Sequence, residues 1–136
     1  MVKPIVKDTL FLMQKSAPAT KADVPAARDL MDTLAAHGHE CVGMAANMIG
    51  VLKCIIAVND GGTLMLMFNP EIIGGEGEYE AEEGCLSLPG KRKTVRKSTI
   101  KVKYRDERFK TQIKTFTGFT AQIIQHEIDH LSGILI

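Results

Sequence analysis

Along this chain the apolar positions change period twice. From Asp23 to Gly38, Ala27, Leu30, Met31, Leu34 and Ala35 recur at helical spacing, with Asp23 placed to cap the helix, Pro25 in its first turn and Gly38 to end it. The pattern then turns to strands. Residues 53–58 and 63–68 are β-branched or apolar runs joined by Asn59-Asp60-Gly61-Gly62, a hairpin signal. Asn69-Pro70 is expected to stop the second strand, a short strand is expected at 71–73, and Gly74, Gly75 and Gly77 are expected to loosen the chain. Ile100, Val102 and Tyr104 alternate with cations, and Ile113 alternates more weakly within 110–117, as in an antiparallel pair with one wet face.

The helical period returns near the C-terminus. Phe119, Ile123, His126 and His130 share one face and Ala121, Ile124, Ile128 and Leu131 cover another, between Thr117 as N-cap and Gly133 as left-handed cap. A helix apolar over so much of its surface must be buried. The expected class is α+β: antiparallel β-sheets around a buried C-terminal metal-binding helix, with the first helix packed outside.

Length and charge narrow the frame without adding chemistry. With 136 residues and 45% hydrophobic content, the chain is expected to form a single domain, 1–136. A net charge of +1 implies neither nucleic acid nor a membrane surface, and no run approaches a membrane span. Residues 1–20 lack the apolar core of a signal peptide, and three cysteines are an odd number in a chain without an export signal. A cytoplasmic location is expected.

The candidate chemistry begins with His126-Glu127-Ile128-Asp129-His130. On a helix the two imidazoles stand one turn apart and reach one metal ion, while Glu127 sits beside it, free to take a proton from water that the metal activates. Two histidines leave the ion short of a protein ligand. Cys85, in Glu83-Gly84-Cys85-Leu86-Ser87-Leu88-Pro89-Gly90, lies on irregular or strand-edge backbone and can be the third, leaving a fourth position for water. Cys41 competes for that role, whereas Cys54 in an apolar strand reads as a small core residue. His37 and His39 read as helix-end or solvated histidines. The stretch from Cys41 to Gly50 is small, glycine-bearing and oddly apolar for a connection, so it fits either a packed turn or backbone close to a ligand.

These residues resemble the peptide deformylase family, whose members share a G-x-G-φ-A-A-x-Q turn, with φ apolar, an E-G-C-L-S segment and a Q-H-E-x-D-H helix. The second block stands intact as Glu83-Gly84-Cys85-Leu86-Ser87, and the third runs intact from Gln125 to His130. The resemblance covers nearly the whole chain, including residues 5–17 and the first helix. It implies removal of formate from formyl-methionyl peptides, with Cys85, His126 and His130 holding one divalent metal and Glu127 as general base and then acid. Ferrous iron is the family's preference; Zn, Ni and Co also suit such a ligand set. It also implies that the developing oxyanion is held by the metal, the Leu86 N–H and the glutamine of the first block.

At that block the chain departs from the pattern. It reads Cys41-Val42-Gly43-Met44-Ala45-Ala46-Asn47-Met48, with Cys41 for the first glycine and Met48, which cannot donate a hydrogen bond, for the glutamine. Phe119 and Ile123 are expected to wall a pocket for the methionine side chain, and the peptide to run extended near Val42, Gly43 and Leu86, with Arg92 close to its main chain. The basic residues Lys91, Arg92, Lys93, Arg96, Lys97, Lys101 and Lys103 read as a solvated strand face or as a surface for the ribosome. Two functions stand: a metal-dependent amidase, favoured by Glu127, and a non-catalytic binder of formylated or nascent N-termini, favoured by Met48. A general metallopeptidase is a distant third.

Overall fold

The computed structural model describes all 136 residues. Five strands form one antiparallel sheet in chain order: β1 (Gly43–Ala45), β2 (Ile55–Asp60), β3 (Thr63–Cys85), β4 (Leu88–Arg105) and β5 (Thr111–Thr117). The helices are α1 (Thr9–Leu12), α2 (Val24–Ala36) and α3 (Gly118–Leu131), with 3-10 turns at Lys21–Asp23 and Ala46–Ile49.

Strand β2 explains the layering, because side chains alternate along a strand and its first four residues are buried. Ile55 and Ala57 join Leu30 and Leu34 of α2 in one apolar cluster, while Ile56 and Val58 join Ile123, Ile124 and Leu131 of α3 in another. The sheet therefore carries α2 on one face and α3 on the other. A fully buried Leu or Ile contributes about 1.5–3 kcal/mol, and Ile124, wholly enclosed at the middle of α3, is one of many that hold this helix against the sheet.

The expected elements are present, and four details differ. Asp23 does not cap α2 with its side chain; that carboxylate accepts from Thr20 N–H at 2.8 Å in a capping box one turn earlier. The helix ends at His37, and Gly38 does not take the left-handed conformation. Asn69-Pro70 does not stop the strand. Asn69 takes a left-handed φ of 51° and its amide bonds both main-chain groups of Ala19, so the pair forms a bulge between Phe68 and Glu71 and β3 continues. Gly74 and Gly75 then pair with Lys101 and Ile100, because β4 offers an unbroken partner that overrides their weak strand preference.

At the other sites local chemistry prevails. Gly61 and Gly62 both take positive φ between the Asp60–Thr63 pair, as a tight hairpin requires. At the end of α3, Gly133 has φ 77° and the N–H groups of Gly133 and Ile134 close on His130 and Asp129 carbonyls, each at 3.0 Å. The basic run of β4 lies against an acidic strand, since Lys103, Lys97, Lys93 and Arg92 stand opposite Glu71, Glu78, Glu82 and Glu83. No helix is long and apolar enough to cross a membrane.

Candidate active site

The β3–β4 hairpin ends in a turn at Leu86-Ser87, which brings Cys85 over α3. Together with the edge strand β1 and the first turns of α3 it encloses a cleft of about 610 Å³, a size that suits a small ligand. Val42, Gly43, Met48, Cys85, Leu86, Phe119, Ile123, His126 and Glu127 all line it, and so does Cys41. Arg92 does not. Phe119 is exposed at the mouth and Ile123 is buried deeper, giving the cleft an apolar side beside its polar floor.

Cys85, His126 and His130 each offer a ligand atom, and these atoms lie within 4.8 Å of one another. The donor set fits a divalent ion: one soft sulfur and two nitrogens, close enough for a single ion to reach with modest tightening. Each imidazole is anchored by its other nitrogen. His126 Nδ1 meets Glu83 Oε1 at 2.8 Å and His130 Nε2 donates to the Ile136 carbonyl at 3.1 Å. Beside them Glu127 is 4% exposed, and its Oε1 is buried without a hydrogen-bond partner, the nearest base being His130 Nδ1 at 3.5 Å. A buried orphan carboxylate oxygen is costly, so it marks a place where a ligand or solvent proton belongs.

β1 can approach this carboxylate only because residue 43 is glycine. A Cβ there would stand 2.5 Å from Ile123 Cγ2 and 2.9 Å from Glu127 Oε2. Any side chain there would have to displace Ile123, Glu127 or the strand itself.

Electrostatics sharpen the cluster. Burial pushes the Cys85 thiol up, but His126 and His130 outweigh it and bring the group down to about 7. For His126 burial works against the charged form, yet Cys85 and Glu83 raise the imidazole to about 10, and His130 is raised by Cys85 and Glu127 against the same opposition. Glu83, although desolvated, is held at about 2 by His126, Arg96 and Gln122. Cys85 and Glu83 on one side and the two imidazoles on the other thus favour each other's charged forms.

Several of its supports escaped sequence reasoning. Arg96, taken as part of a solvated basic face, is 4% exposed; its guanidinium grips Glu83 at 2.7–3.1 Å and Asp129 at 2.6 Å. Gln122 adds a bond to Glu83 at 2.9 Å. Gln125 stitches α3 to β4 through both main-chain groups of Lys97, at 2.8 Å each, and Asn47 donates to the His130 carbonyl at 3.0 Å. Glu83, Gln125 and Asp129 stand inside the two intact motifs, and that membership is the signal that could have found them. Arg96 had none, because one cation in a basic run looks like the next.

Residues 2–136 match the polypeptide deformylase family. The chain belongs to it. A peptide deformylase of Clostridium beijerinckii is 56% identical over 136 residues, covering all of both chains. A Thermotoga maritima deformylase structure superposes with a TM-score of 0.90 at 29% identity, over 99% of this chain and 95% of that one. A Met-Ala-Ser-bound deformylase of Acinetobacter baumannii gives 0.88 at 30% identity, over 99% and 97%. The deformylase reaction is metal-dependent removal of the N-formyl group from newly made peptides, and it requires a single divalent metal. The non-catalytic alternative finds no support among these relatives.

Proposed function

We propose that Cys85, His126 and His130 hold ferrous iron and that Glu127 moves the protons of deformylation in this cleft. The observation that carries the reading is the buried, unpartnered Glu127 Oε1 beside the three-donor cluster. A divalent ion held by these three side chains would supply Lewis acidity toward water and the formyl carbonyl. Glu127 takes a proton from the attacking water and returns it to the nitrogen of the leaving peptide. The Leu86 N–H, in the turn after Cys85, donates to the oxygen on which charge develops. Phe119 and Ile123 receive the methionine side chain, and Val42 and Gly43 align the extended main chain.

That the Acinetobacter baumannii protein is bound to Met-Ala-Ser supports a short peptide as the ligand here. Newly made chains as substrate fit a cytoplasmic enzyme. A ribosome-facing role for the basic residues of β4 has less support, because four of them stand opposite glutamates. Arg92 lies outside the cleft lining, so a contact with the peptide main chain has less support than those of Val42 and Gly43. Formate release from formyl-Met-Ala-Ser by anaerobically iron-loaded protein tests the reading; no release at any iron loading would overturn it.

Two further outcomes are expected. Cys85→Ala abolishes stoichiometric metal binding and Cys54→Ala does not, because Cys54 Sγ is engaged with the Ser16 carbonyl at 3.5 Å and lies outside the cleft. Metal analysis of both variants checks this, and a full equivalent retained by the Cys85 variant contradicts the ligand set. Metal uptake at neutral pH also releases protons. His126, raised to about 10, must give up its proton to become a ligand, and His130 is raised as well. Affinity therefore climbs with pH until His126 titrates, with roughly one to three protons freed per ion once the Cys85 thiol, at about 7, is counted with the two imidazoles. Calorimetry in buffers of different ionisation enthalpy measures that number.

A further inference from the structure

Cys41 stands where the first motif has glycine, and its Sγ donates to the Gly43 carbonyl at 2.8 Å. That carbonyl belongs to an edge strand. β1 pairs with β2 alone, with Gly43 opposite Val58, and Asn59 N–H donates to the Val42 carbonyl. In an antiparallel ladder the main-chain groups of alternate residues face the partner, so the N–H and C=O of Gly43 face away from β2. Val42 and Gly43 line the cleft, which makes this free edge the place where an extended peptide would pair. Cys41 thus caps from within the acceptor that a peptide N–H would use.

We propose that Cys41 is an affinity-determining residue: its thiol caps the Gly43 carbonyl in the free protein, and the main chain of the peptide must displace it to bind. The proposal rests on the reading of this cleft as the peptide site. Burial and Glu127 push the thiol up to about 12, so the sulfur keeps its proton, and its capacity to donate, at neutral pH. A thiol is a weak donor and gives way at small cost. That cost is what the displaced side chain loses, since Cys41 is half-buried and has no other acceptor among its hydrogen bonds.

The chemistry at position 41 therefore sets a graded penalty. A serine hydroxyl donates more strongly and should resist displacement, whereas alanine has no bond to lose. The test is the dissociation constant of the product peptide Met-Ala-Ser for metal-loaded wild type, Cys41→Ser and Cys41→Ala, by calorimetry. Binding should weaken about two- to fivefold in Cys41→Ser and tighten by about the same factor in Cys41→Ala. In the Raman spectrum of wild type, one S–H band should move to the unbonded position when peptide is added, and Cys41→Ala should lack that change. A packing role for Cys41 would shift both variants in one direction, and that result, or equal affinities throughout, would overturn the proposal. Absence of binding by all three proteins would overturn the peptide-site reading and this proposal with it.

Discussion

Glu127→Gln is expected to leave metal and fold in place and to lower kcat by about 10²–10⁴. The substitution conserves volume, which matters because Glu127 is buried between Gly43 and His130. It also removes the one property that the proposed mechanism needs, since an amide oxygen cannot take and return a proton near neutral pH. The ligand cluster should not notice. Cys85, His126 and His130 form the close set without Glu127, and the anchors of both imidazoles on Glu83 and Ile136 are untouched. Steady-state kinetics on formyl-Met-Ala-Ser, with metal analysis of the same samples, checks this. If the variant loses its metal, Glu127 is a ligand and the division of roles proposed here is wrong.

How much of this was legible beforehand depended on whether the information was local. The three-donor cluster could be read because its histidines repeat at helical spacing and Cys85 lies among turn residues. The burial of α3 could be read from its two apolar faces. The long β3 could not, because Asn69-Pro70 and the glycines after it are local stop signals, and only the pairing with β4 overrules them. Strand pairing is a property of two distant segments, so neither segment announces it. Arg96 illustrates the same limit for side chains: its burial follows from the meeting of β4 with α3, where Glu83 and Asp129 converge on it. A single sheet, with a helix on each face, likewise follows from the four buried residues of β2, whose apolar run signalled double-sided burial without naming the partners.

Met48→Gln is expected to raise kcat by on the order of tenfold to a hundredfold, with little change in peptide binding. Met48 is 1% exposed, lies in the turn Ala46–Ile49 and lines the same cleft as Cys85 and Leu86. Its thioether offers no proton to an oxygen that gains charge during the reaction, so a glutamine amide there would act mainly in the transition state. One oxyanion donor is typically worth about 10²–10³ in rate. Less is expected here, because Met48 also packs into the cluster containing Leu30, Leu34 and Phe68, which is shaped around a flexible apolar side chain and will misaim the amide. The same packing predicts a cost. A buried amide without its partner destabilises the free protein by roughly 1–3 kcal/mol, so the melting temperature should fall while turnover rises. Kinetics and thermal unfolding of both proteins, equally loaded with metal, measure the two effects together. Equal turnover would mean that Leu86 N–H and the metal suffice for the oxyanion in this cleft, and that Met48 serves the core alone.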